Sequence, residues 1–234
     1  MNIPMKKTNV LSSKILNFIS YSKFNEDLFL LYLLYDVNNG FYIDIGTDSN
    51  YNYSITKAFY LSGWYGLKID FLKNKKLFTN YRNRDINLQI IDGKQKNNNI
   101  LFFRGKYTII NATHSNKTEV MQKIFKNYFP PHEEIDFCKI EEEGEEKNIL
   151  LGIDFKYYRP KIFCIRTKNM KNHNLWENLL LTNGYSLIYE YTINRFYIDI
   201  RIKRLRERFI EAKKIFDNKK IEFNNILLIS LLKE

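Results

Sequence analysis

The sequence predicts an α/β protein organised around one mostly parallel sheet, and three observations carry that reading. Short apolar runs rich in β-branched and aromatic residues alternate with stretches whose apolar positions recur at helical spacing. Residues 41 to 70 form a βαβ unit whose second strand delivers a carboxylate, Asp70, at its carboxyl end. Two late strands flank Thr192-Ile193-Asn194, which makes the last pair an antiparallel hairpin.

Taken in order, residues 1 to 19 read as an irregular arm or short helix. Ser22 or Asn25 can cap the next helix, with Glu26 and Asp27 in its first turn and Leu28, Leu31, Tyr32 and Tyr35 on its apolar face. Asn38-Asn39-Gly40 stops it. Phe41 to Ile45 is a buried strand, and a polar loop from Thr47 to Tyr53 follows. Ser54 caps a helix through Ile55, Ala58 and Phe59, with Gly63 just past its end, and Tyr65 to Ile69 is the second strand. Leu72 to Tyr81 reads as a helix with a basic face, Ile86 to Ile91 as a third strand, and Ile100 to Phe103 as a short strand after the turn Asp92-Gly93. A helix over Lys117 to Phe129 ends at Pro130-Pro131. Strand Ile135 to Ile140, helix Glu146 to Leu151, strand Lys161 to Ile165 and helix Leu175 to Leu181 complete the alternation before the hairpin strands Tyr185 to Tyr191 and Arg195 to Ile200. From Arg201 the chain is helical and charged, with Leu205, Phe209, Ala212 and Phe216 as an apolar stripe suited to docking. The expected organisation is an arm at 1–19, one domain at 20–200 and a helical tail at 201–234.

Composition bounds the function. The 234 residues are 44% hydrophobic, enough for one sizeable core. A net charge of +11 would suit a polyanion or a membrane surface, but Lys, Asn and Ile are spread evenly, and the basic tail lacks the interleaved aromatics that stack bases. A nucleic-acid partner is therefore not expected. Cys138 and Cys164 fall inside strands without metal spacing and read as buried free thiols of a reducing compartment. His114, His132 and His173 share no ligand spacing, so no metal is expected. Lys139 reads as a strand-edge residue with a snorkelling stem. No apolar run is long enough to span a bilayer, and the interrupted N-terminal stretch makes a poor signal peptide, so the expected location is cytoplasmic.

Several stretches, in order, resemble the FkbM-type S-adenosylmethionine-dependent methyltransferases. Tyr21-Ser22-Lys23-Phe24-Asn25-Glu26-Asp27 is similar to the family's opening, and Phe41 to Asp48 to its glycine-containing loop. Ser54, Thr56, Phe59-Tyr60, Gly63-Trp64 and Gly66 match the segment that follows. Arg82 to Leu88, Glu134 to Glu146, Tyr158 to Ile162, Gly184-Tyr185 and Asn194 to Tyr197 match the later elements.

The resemblance implies a Rossmann-like class I methyltransferase fold, a seven-stranded mostly parallel sheet with a final antiparallel hairpin. It implies S-adenosyl-L-methionine held by Asp44, Gly46, Thr47, Ser54, Asp70 and Glu141, and Glu141 and Glu143 as catalytic carboxylates that take a proton from an acceptor hydroxyl. The implied acceptor is a sugar of a surface polysaccharide or another small hydroxylated molecule. Departures from the pattern are Lys23, Asn25, Asp48, Glu141 for the family's aspartate, Glu142 for an apolar residue, and Arg166 where an acid is usual. They motivate a second expectation, a catalytically inactive member that keeps the fold and binds glycan or protein.

Overall fold

The computed structural model describes residues 19–46, 54–72, 82–92, 107–112, 116–130, 133–167 and 173–217. The elements are α1 (Glu26–Leu33), β1 (Phe41–Ile45), α2 (Ile55–Leu61), β2 (Tyr65–Leu72), β3 (Ile86–Asp92), β4 (Tyr107–Ala112), α3 (Lys117–Tyr128), β5 (Phe137–Ile140), α4 (Glu146–Leu151), β6 (Ile162–Arg166), α5 (Glu177–Thr182), β7 (Tyr185–Tyr191), β8 (Asn194–Asp199) and α6 (Lys203–Asp217). The chain divides into two compact units: residues 40–51 with 65–201, and residues 1–39 with 52–64 and 202–234.

The larger unit is the sheet. Seven strands run in the order β3-β2-β1-β5-β6-β8-β7, and β4 adds itself beside β3 at the edge. Pairings from β4 through β6 are parallel, while β8 runs antiparallel to both β6 and β7. The expected α/β class, mostly parallel with a closing hairpin, is what the chain forms. Chain direction across the sheet reverses between β1 and β5, which makes their carboxyl ends the topological switch point.

One sheet face carries the core. Phe41, Ile43, Ile45, Leu67, Ile69, Cys138, Ile140, Phe163 and Ile165 meet Met121, Ile124 and Phe125 of α3, Ile149 and Leu150 of α4, and Leu180 of α5. The helices earn these places through spacing: Val120, Met121, Ile124 and Phe125 fall on one side of α3. Asn116 caps that helix by accepting from the Glu119 N–H at 2.9 Å.

The opposite face carries polar groups. The Tyr42 hydroxyl donates to both Asp85 oxygens at 2.9 and 2.7 Å, the Gly66 N–H donates to Asp85 at 2.9 Å, and Arg82 Nη1 donates to the Tyr42 oxygen at 3.0 Å. Arg82 Nη1 also lies 3.7 Å from the Asp85 carboxylate. Gly66 has no side chain because a Cβ there would stand 2.3 Å from the Tyr42 carbonyl oxygen.

The smaller unit is built on Asp27 and Arg208. Asp27 is fully buried and accepts from the Ser20 hydroxyl at 2.6 Å, the Ser22 hydroxyl at 2.7 Å and the Tyr21 N–H at 2.7 Å. Asn25 stands at the expected N-cap position with φ +60° but makes no side-chain cap bond; the Ser22 hydroxyl accepts from the Asp27 N–H of the first turn at 3.4 Å, and the Asp27 carboxylate gathers the preceding turn. Arg208 of α6 donates to the Leu33 carbonyl at 2.8 Å and forks onto Asp36 at 2.7 Å through each terminal nitrogen, satisfying the carboxyl end of α1. Leu205 and Ala212 are buried, and Phe209 meets Phe29 edge-on at 6.5 Å, so these three residues of the apolar stripe dock as expected, while the Phe216 side chain lies outside what the structure describes.

Other differences are local. β2 runs on to Leu72, and the expected helix beyond it lies outside the described residues, as do the strand Ile100 to Phe103 and most of the N-terminal arm. The helix expected at Leu175 begins at Glu177 after a single 3-10 turn, because the Trp176 ring, 1% exposed, turns into the core against Tyr197. Among the described residues, no helix is long and apolar enough to cross a membrane.

Replacing Asp85 by Ala is expected to lower the free energy of unfolding by about 3 kcal/mol, because Arg82 and the Gly66 N–H then lose a buried acceptor. The urea midpoint of the variant against the wild type measures this.

Candidate functional site

β1 and β5 run side by side in parallel, with Asp44 opposite Lys139 and Ile45 opposite Ile140. Both strands stop at the same level. The Glu141 N–H donates to the Ile45 carbonyl at 2.9 Å and the Gly46 N–H to the Ile69 carbonyl at 2.9 Å, which ties the ends of β1 and β5 to each other and to β2. Gly46 leaves β1 with φ +72°, and a Cβ on it would stand 2.2 Å from the Glu141 carbonyl oxygen. The close approach that demands glycine here is to the neighbouring strand's own backbone.

Lys139 is the residue that sequence reasoning misplaced. β5 lies in the middle of the sheet, so Lys139 is 5% exposed, where an edge strand would have let its stem reach water. Its ammonium donates to the Gly46 carbonyl at 2.8 Å and pairs with Asp44 and Glu141, each at 3.1 Å. A buried ammonium has to be matched in this way. The signal was present in the sequence as a lysine flanked by the carboxylates that end two parallel strands, but only the register of β1 on β5 brings Asp44 to it.

The remaining candidates divide clearly. Asp44 is 1% exposed and faces Lys139. Glu141 is half-buried and held from its other side by Arg166 at the end of β6. Glu142 pairs with Lys117 at 2.7 Å, and that ammonium also rests over the Phe71 ring at 4.5 Å. Glu143 is exposed, whereas Glu146 is buried at the start of α4 and accepts from the Thr167 hydroxyl at 3.4 Å. Asp70 ends partly exposed on β2. Burial, and after it the Glu142 charge, push its carboxyl up to about 6. Lys68, opposite Asp44 on β2, is 1% exposed and pushed down to about 8 by burial and then by Arg82. Ser54 belongs to the smaller unit, where its hydroxyl lies 3.2 Å from the Thr56 hydroxyl and its N–H donates to the Tyr21 carbonyl at 2.9 Å. Thr47 and Asp48 lie outside the described residues.

The structure thus brings Asp44, Gly46 and Glu141 together around Lys139, with Asp70 on the next strand. What this cluster offers chemically is a half-exposed carboxylate able to accept hydrogen bonds, beside a rigid turn at a switch point. Among the described residues, no group of three or more His, Cys, Asp and Glu is arranged to hold a metal ion. No family model matches the chain, and no curated protein matches it.

Replacing Gly46 by Ala is expected to destabilise the protein by about 3 kcal/mol, the added cost of a positive φ and of overpacking against Glu141, read as a shift of the urea midpoint. A second expectation follows from Asp70. Its carboxyl is raised on folding, so the native state binds the proton more tightly and gains stability as pH falls from 7 towards the ordinary carboxylate range. Asp70→Asn removes that dependence. The variant's advantage over wild type is expected to be larger at pH 7 than at pH 5 by about 1 kcal/mol, reduced by partial exposure, in paired urea titrations.

Proposed function

We propose that this chain is an S-adenosylmethionine-dependent methyltransferase of the FkbM type, acting in the cytoplasm on a hydroxyl group of a glycan or similar acceptor. The observation that carries the reading is the position of Asp70: a partly exposed carboxylate near the carboxyl end of β2, one residue past the level at which β1 stops and one strand from the Gly46 turn, where strand order reverses. The motifs that resemble the family fall on these same elements. The residues present fit such a cofactor in their donor set, since a carboxylate at that strand end accepts hydrogen bonds from a ribose diol. The cofactor, when bound, supplies an electrophilic methyl group on a sulfonium.

The work left to the protein is mostly positioning. Asp70 would hold the ribose, and the Gly46 turn, braced by Lys139, would set the floor beneath it. Glu141 would take the acceptor's proton while each of its oxygens is engaged by a cation, Lys139 on one and Arg166 on the other. That double engagement favours a second reading, in which the cofactor site is kept while transfer is lost.

Calorimetric titration with S-adenosylmethionine and S-adenosylhomocysteine tests the proposal without an acceptor. Micromolar binding is expected, weakened about tenfold or more by Asp70→Asn, and weakened again as pH falls through about 6 where Asp70 takes up its proton. A folded sample that binds neither compound would overturn the enzyme reading. Binding without turnover on any hydroxylated acceptor would favour the second.

A further inference from the structure

The apolar stripe of α6 is used within the protein itself, where Leu205 and Ala212 are buried and Phe209 meets Phe29. What the helix shows to solvent is its other side. Lys203, Arg206 and Ile210 follow one another at helical spacing, and all three are exposed, Ile210 by 57%. Arg204 is exposed beside them; it lies 3.6 Å from an Asp36 carboxylate that Arg208 already holds at 2.7 Å through both terminal nitrogens. Glu207 is an exposed acid on the same stretch, whereas Glu211, half-buried, accepts from the Tyr32 hydroxyl.

Charge is concentrated on this part of the chain. From Lys203 to Lys220, eight lysines and arginines stand against three acids, a net +5 within 18 residues of a chain whose total is +11. The even spread of lysine along the whole sequence does not extend to this stretch. Beyond it, Phe223 to Leu232 has no charged residue, and seven of its ten residues are large and apolar. Ten residues are too few to cross a bilayer. Basic charge beside a short apolar segment is the pair of signals that holds a protein at the surface of an anionic bilayer, where one signal alone binds only marginally.

We propose that the outer side of α6 is a docking surface for an anionic lipid bilayer. Lys203, Arg204 and Arg206 meet the phosphates and carboxylates of the headgroups. Ile210, with the run Phe223 to Leu232 after it, enters the boundary between headgroups and acyl chains. Glu207 opposes the attraction and is outnumbered. A nucleic acid would answer the charge but not the aliphatic groups. Stacking on bases needs exposed aromatic rings, and among the described side chains of α6 the one aromatic, Phe209, is turned to Phe29. Docking of this kind does not depend on the methyltransferase reading; it fixes where the chain works and not what it does there.

The full chain is sedimented with two kinds of sucrose-loaded vesicle: pure phosphatidylcholine, and phosphatidylcholine with about one lipid in four replaced by phosphatidylserine. Partitioning onto the anionic vesicles is expected to exceed that onto the neutral ones by about tenfold or more, and to fall as salt is raised, because exposed charges are screened. Lys203→Gln combined with Arg206→Gln is expected to lower it about tenfold. Ile210→Ser is expected to lower it about threefold while the salt dependence remains. Lys147→Gln combined with Lys156→Gln removes two exposed charges elsewhere on the chain and is expected to leave partitioning within about twofold of wild type. Circular dichroism melting confirms that each variant is folded. Equal partitioning onto both vesicles, none onto either, or equal losses in the two double variants would each overturn the proposal. So would tighter binding to a single-stranded or duplex oligonucleotide at matched negative charge. Titration with S-adenosylmethionine reads none of these quantities, so a failure here is distinct from a failure of cofactor binding.

Discussion

One buried ammonium ties the centre of the molecule together. Lys139 reaches from β5 to the carbonyl of Gly46 and to the carboxylates of Asp44 and Glu141, and so locks the ends of the two strands between which the sheet changes direction. Removing it would take from the buried Asp44 a cation it pairs with at 3.1 Å, a loss proteins tolerate poorly. The turn at Gly46, the level at which Glu141 emerges and the floor of the candidate site all depend on this contact. It also explains why Asp44 is almost fully buried: the carboxylate serves the strand pair before it can serve a ligand.

Much of the architecture was legible from local pattern. Apolar runs bounded by turn residues gave β1, β5, β6 and the hairpin nearly to the residue, and helical spacing gave α3 and α4. What local pattern misses is anything decided by register. A lysine between two apolar strand residues looks the same in an edge strand and a central one; Lys139 is central because β5 happens to insert between β1 and β6. The same limit applied to the start of α1. Ser22 and Asn25 have the chemistry of caps, but local pattern does not show that the buried Asp27 carboxylate, a charged acceptor, binds the Ser22 hydroxyl while the Asp27 N–H donates back to it.

The candidate site shows the mirror image of this problem. Its residues were readable one at a time, since Asp44, Gly46, Asp70 and Glu141 each lie in or just past the carboxyl-terminal half of a strand. Their relationships were not. Glu141, Glu142 and Glu143 are three adjacent acids in the sequence, whereas the fold separates them: Glu141 turns to Lys139 and Arg166, Glu142 turns to Lys117, and Glu143 is exposed. Substitutions that look disruptive as a list become a set of matched pairs once three strands and a helix converge.

The bond between Lys139 and the Gly46 carbonyl spans 93 positions of chain. During synthesis, β1, β2 and β3 leave the ribosome well before β5, and β1 then has one flank without its neighbour. Parallel pairings of this kind carry a large loop-closure cost that is met only when the late strand arrives. The central clamp therefore forms late in folding. Until then the nascent chain presents an open β1 edge, a surface that a chaperone would be drawn to shield.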